Sequence, residues 1–176
     1  MPLKLGEAQI REVAKWVGAY IAEQRETFYE KAGAIAPSFK KTMEPFFPAD
    51  VLSKVRITQG RATEPGFYSQ LRLLGIRNAP DFSEMAGVTF QDVIVHVEPL
   101  SATLLFHELV HAVQYKHLGL DGFAEHYVRG FLTGGSYEEI PLEKQAYELE
   151  GRFASDADQV FSVEDDVLER IRLKRL

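Results

Sequence analysis

The chain has 176 residues, 45% hydrophobic and 26% charged, with 20 Lys and Arg against 26 Asp and Glu for a net charge of -6. A domain of this length buries roughly 70% of its unfolded surface, so residues 1 to 176 read as one domain, and the composition excludes intrinsic disorder and a collagen-like repeat. The acidic balance disfavours nucleic acid as a partner. No cysteine and five histidines exclude disulfide scaffolds, thiol nucleophiles and iron–sulfur clusters, so any metal site must be built from His, Asp or Glu.

The opening MPLKLGEAQIREVAKW lacks the pattern of a secretory signal, and no segment has the roughly 18 unbroken apolar residues of a membrane span. A soluble cytoplasmic protein without membrane contact is the expectation. Ile10, Val13, Ala14, Val17, Ile21 and Phe28 recur at helical spacing and predict an amphipathic helix over 7–31, widened by Trp16 and Tyr20. The proline-rich stretch PSFKKTMEPFFPAD reads as a short helix plus turns, and VLSKVRI passes from helix to strand with Arg56 solvated. Residues 1–60 thus form a helical N-terminal part. Between 61 and 87 only a short helix from Pro80 to Met85 can be placed.

VTFQDVIVHV, rich in β-branched residues, is one strand or a hairpin turned at Gln91-Asp92. In SATLLFHELVHAVQYKHLG, Ser101 is a natural N-cap and Gly119 a C′ glycine, bounding a helix of about 17 residues. A shorter helix capped by Asp121 and a TGGS loop follow. The next helix starts at Pro141, a favoured first residue, and runs through LEKQAYELEGRFA. The tail forms a charged helix with Val163, Val167, Leu168 and Ile171 on one side.

Within the best-marked helix lies His107-Glu108-Leu109-Val110-His111. Residues four apart share a helical face, so this HExxH spacing lets two imidazoles hold one cation while Glu108 addresses a water. Zinc in such a site takes a third protein ligand. His117 has the spacing of an HExxHxxGxxH motif, but Gln114 stands where that motif breaks the helix with glycine. A continuing helix carries His117 about 15 Å along the axis from His107, and Met1, Met43 and Met85 all precede the motif.

The helix after Pro141 supplies the alternatives. Leu142, Ala146, Leu149 and Phe153 form its apolar stripe, Glu143 and Glu150 flank that stripe, and Glu148 faces away. Glu143, in the first turn where a carboxylate is favoured, is the first choice as third ligand. Glu150 and His126 are reserves, and His96 is assigned a structural role. With only two histidines placed to share a cation, a carboxylate ligand is the expectation.

HExxH followed some tens of residues later by a glutamate-bearing helix resembles the small zincin-like metallopeptidases of the gluzincin kind. LLFHELVHAVQY, preceded by VTFQDVIVHVEP, is similar to bacterial minimal peptidase-like domains with a hairpin and a HELxHxxQ helix, and PLEKQAY resembles the ExxA element of the immunity-repressor-cleaving metallopeptidases, whose glutamate ligates zinc and maps to Glu143. The resemblance covers about residues 86–154, the metal-site core. It implies an α+β zincin-like fold, mostly helical, with a small, mostly antiparallel sheet beside the HExxH helix and the strand at 93–97 as an edge open to an extended peptide. It further implies Zn2+ held by His107, His111 and Glu143 and a metallopeptidase that hydrolyses peptide or protein substrates with zinc-activated water and Glu108 as general base. For the oxyanion Tyr137 is the first choice, with Tyr127, Tyr147 and Arg129 behind it. A non-catalytic zinc-binding structural or interaction module is the alternative.

Overall fold

The computed structural model describes residues 5–156 and 158–176. Helix α1 (Glu7–Tyr29) is followed by the two-residue strand β1 (Gly33–Ala34), helices α2 (Pro37–Met43) and α3 (Ala49–Lys54), strand β2 (Arg56–Gln59) and helix α4 (Tyr68–Leu73). A 3-10 turn at Phe82–Glu84 leads into strands β3 (Gly87–Phe90) and β4 (Val93–His96). Helix α5 (Ala102–Gly134), a second 3-10 turn at Tyr137–Glu139, and helices α6 (Pro141–Ser155) and α7 (Val163–Arg172) complete the chain. The architecture is mixed α+β, mostly helical with one small sheet. Among the described residues no helix is long and apolar enough to cross a membrane.

The strands lie in the order β1-β2-β4-β3. β3 and β4 form the antiparallel hairpin turned at Gln91-Asp92, where Gln91 adopts a φ of 61°. Two of the three strand pairings are antiparallel, as expected of a mostly antiparallel sheet, and β2 runs parallel to β4. The expected edge at 93–97 needs correction, because β4 is interior, flanked by β2 and β3, and the edge beside α5 is β3. Its side chains show why: Val93, Ile94 and Val95 are all buried, which suits a strand covered on both faces.

α5 begins as the capping signal predicts, with Ser101 Oγ accepting a hydrogen bond of 3.1 Å from the Leu104 N–H. Its first half is the axis of the molecule. Leu105, Phe106, Leu109, Val110 and Val113 have no exposed surface, as expected of a helix that is apolar around its circumference. On one side Phe106 stacks on Phe153 of α6 with centroids 4.6 Å apart, and Phe46 meets both rings edge-on. On the other side Tyr20 of α1 packs with Phe82 and Phe90, and Tyr127 joins the same core.

Gly119 ends the first segment with a φ of 69°, a conformation strained for residues with a Cβ. Helical geometry resumes directly after Gly119, the one non-helical residue within α5, so a second helix follows the break as expected, although it begins ahead of Asp121 and is not capped by it. The proline-rich stretch forms the expected short helix followed by turns, and VLSKVRI passes from α3 into β2. One further correction concerns Arg56, which is half-buried, donating from Nε to the Ala32 carbonyl and lying over the Tyr29 ring. In α7, Val163 and Val167 are buried whereas Leu168 is 43% exposed.

Candidate metal centre

The second and third turns of α5 and the first turn of α6 meet at a cluster of three potential ligand atoms. His107 Nε2 lies 3.3 Å from Glu143 Oε2, His111 Nε2 lies 3.2 Å from the same oxygen, and the two Nε2 atoms are 3.2 Å apart. Donor atoms around tetrahedral zinc, at bond lengths of about 2.0–2.1 Å, are spaced about 3.3–3.4 Å apart. The donor triangle therefore matches one face of a zinc tetrahedron, and its two imidazoles and one carboxylate suit the same ion. Among the described residues this is the one group of three His, Asp or Glu placed to hold a metal.

Both imidazoles are held from behind. Glu150 Oε2 stands 2.9 Å from His107 Nδ1, and Gln114 Oε1 stands 2.8 Å from His111 Nδ1. Each acceptor favours the proton on Nδ1 and so leaves the Nε2 lone pair pointing into the triangle, the arrangement that zinc sites use. Glu150, a reserve ligand in the sequence, is thus a hydrogen-bond partner of His107.

All four HExxH and helix carboxylate groups are enclosed: His107 and His111 are 5% exposed, Glu108 and Glu143 3%. Burial opposes charge on His107, but the Glu143 and Glu150 carboxylates outweigh it and push the pKa up to about 10. His111 is raised in the same way by Glu143, against its own burial. Burial would raise the Glu143 carboxyl, but the two imidazoles hold it well below the usual carboxylate range. Both shifts favour protonated imidazoles, so a cation entering the triangle competes with protons for it.

Glu108 points towards β3. Its Oε2 is 2.6 Å from the Thr89 hydroxyl of β3, which also lies 3.0 Å from the Glu108 carbonyl. A Cβ on Gly87 would stand 2.9 Å from Glu108 Oε1, so glycine at the start of β3 leaves room for that oxygen. Burial raises the Glu108 pKa against the opposing influence of the histidines and of Thr89.

Glu108, His111 and Glu143 line a cavity of about 20 Å³ together with Tyr115, Tyr127 and Tyr137, enough for about one water. The Tyr127 hydroxyl is buried and has no hydrogen-bond partner among the described residues. Burial and the Glu143 carboxylate both push the Tyr137 hydroxyl strongly up. A larger recess of about 560 Å³ lies between α1, α3 and the lower part of α5, and Tyr115 is the residue it shares with the small cavity. Its charges are largely paired, Arg25 with Asp92 and Lys116 with Asp50.

Other residues singled out in the sequence lie elsewhere. His117 Nε2 meets Glu164 of α7 at 2.8 Å, and His96 Nδ1 meets the Glu98 carbonyl at 2.7 Å. His126 is half-buried and outside the cluster. Arg129 is corrected from an oxyanion candidate to a surface residue paired with Glu7 and Glu125. Tyr147 is 46% exposed and sets its ring edge-on to His107, centroids 4.5 Å apart.

Compared with protein-family models, curated proteins and solved structures, the chain finds no match.

Sequence reasoning missed Gln114 as a partner of His111, although a polar residue three positions after a ligand, on a buried face, was the available signal. Thr89 carried no such signal. The Tyr127 hydroxyl stood behind Tyr137 among the four candidates until its burial without a partner distinguished it.

Proposed function

We propose that the chain is a zinc-dependent peptidase of zincin-like fold, holding the ion with His107, His111 and Glu143. The observation that carries this reading is the ligand triangle of 3.2 to 3.3 Å edges, with a glutamate beside it that is not part of the triangle. A site that merely binds metal has no need of Glu108. Zinc held there would supply Lewis acidity, polarising a carbonyl and making water more acidic.

The chain's own groups divide the remaining work. Thr89 orients Glu108 through Oε2, leaving Oε1 to take the proton of the attacking water and pass it to the leaving amine. Tyr127 and Tyr137, both on the cavity wall, are the donors for a developing oxyanion. β3 is the sheet edge next to Glu108. Because the Val97 N–H bonds to the Ala86 carbonyl, the alternation of an antiparallel pair turns the backbone groups of Gly87 and Thr89 outward, where an extended peptide can add as a strand.

A second reading rests on the enclosure of the site. With every ligand at most 5% exposed, zinc would serve as a buried structural cross-link of α5 and α6 in a non-catalytic module. The peptidase reading requires the wall of Phe82, Met85 and Tyr137 to move aside for substrate. Incubating the zinc-loaded chain with a mixed peptide library, and reading new termini by mass spectrometry, separates the two. Chelator-sensitive cleavage supports the peptidase; a metal-loaded protein that cleaves nothing supports the structural module.

Tyr127→Phe sharpens the same distinction. Losing one oxyanion donor should lower turnover roughly 10²- to 10³-fold. Because the buried hydroxyl has no partner, its removal should leave thermal stability unchanged or slightly raised. Calorimetry and steady-state rates check both, and unchanged turnover would remove Tyr127 from the mechanism.

A further inference from the structure

The hydrogen bond behind His111 does not end at Gln114. Gln114 Nε2 donates at 3.0 Å to the Leu142 carbonyl and at 3.0 Å to Gln145 Oε1. Gln145 Nε2 in turn donates at 2.7 Å to Asp166 Oδ1 on α7, and Arg170 Nε holds the same Asp166 oxygen at 3.2 Å. Gln114 and Gln145 have no exposed surface, so their amides have no water to turn towards.

The direction of this chain is determined at its far end. A backbone carbonyl and a carboxylate only accept hydrogen bonds. Asp166 therefore requires the NH2 of Gln145 to face it, which turns Gln145 Oε1 towards Gln114. Gln145 Oε1 and the Leu142 carbonyl then require the NH2 of Gln114, and Gln114 Oε1 is left to face His111. Only a protonated Nδ1 satisfies that oxygen, and the lone pair of the neutral ring then lies on Nε2, inside the ligand triangle.

We propose that Gln114, Gln145 and Asp166 are positioning residues that lock the tautomer and orientation of His111, so that the C-terminal helix α7 is part of the metal centre without touching it. This rests on the reading of His107, His111 and Glu143 as a zinc site. α7 reaches α5 by a second, unrelated route, since Glu164 binds Lys116 and His117. That route supplies the control: Glu164→Ala loosens α7 without entering the amide chain.

The experiment measures the zinc dissociation constant of the full chain by competition with a chromophoric chelator. It also follows the Nδ1 proton of His111 by NMR in the zinc-loaded protein. Gln114→Met keeps the side-chain volume, removes the acceptor, and should weaken zinc about 10- to 100-fold while bringing the Nδ1 proton into fast exchange with solvent. Asp166→Ala, at the half-buried end and the safer variant for folding, should weaken zinc several-fold and shift the same proton. Glu164→Ala should lower the melting temperature and leave both unchanged. Two results overturn the proposal while the zinc site stands: affinity within twofold of wild type in both Gln114→Met and Asp166→Ala, or equal weakening by Asp166→Ala and Glu164→Ala. A wild-type chain that binds no zinc overturns the metal-centre reading itself, and this proposal with it.

Discussion

Glu108→Gln should retain zinc and lose peptide hydrolysis by roughly a hundredfold to ten-thousandfold, the range by which a general base contributes. The substitution is nearly isosteric, and the Thr89 hydroxyl at 2.6 Å can donate equally to an amide oxygen. Position and packing are therefore conserved, and what disappears is the capacity to take a proton. The donor triangle does not include Glu108, so its ligand set is intact. Rates on any peptide found in the library, with zinc content measured on the same sample, provide the check. Equal rates in wild type and variant would place the proton transfer elsewhere.

Removing the metal should have the second large effect, on stability. Zinc at a free concentration 1,000-fold above its dissociation constant stabilises the native state by about 4 kcal/mol. For a chain of 176 residues this corresponds to roughly 8–16 °C in melting temperature. The difference between zinc-loaded and chelated protein should widen as pH rises from about 6 to 9. In the metal-free protein the His107 pKa is pushed up to about 10. The stability gained from its protonation is thus complete below the ordinary histidine value of about 6.5 and is lost as pH rises towards 10. Over the same interval zinc meets less competition from protons. Melting curves with and without chelator at several pH values test this, and a constant or shrinking difference would contradict it.

Local signals in the sequence located much of the candidate site. Ser101 and Gly119 bounded the HExxH helix because capping and positive φ depend on adjacent residues. Glu143 was placed by its helical face and its first-turn position, and the structure brings it to both histidines at 3.2 to 3.3 Å. The sheet order was not legible. VIVHV carries the same residues whether it lies at an edge or inside, and its interior position depends on β2, more than 30 residues earlier, pairing along its free side. Arg129 shows the same limit, since its partner Glu7 is 122 residues away. The support of His111 lay within reach, because Gln114 shares its helical face, but the continuation through Gln145 to Asp166 joins three helices that no local pattern connects.

The most direct measurement is the metal content of the untagged 176-residue chain, by elemental analysis after exhaustive dialysis, in wild type, His111→Ala and Glu143→Ala. The ligand triangle predicts about one zinc per wild-type chain and none retained in either variant. A wild-type chain without stoichiometric metal, or a Glu143→Ala chain that keeps it with unchanged affinity, would contradict the assignment of His107, His111 and Glu143 as the zinc centre.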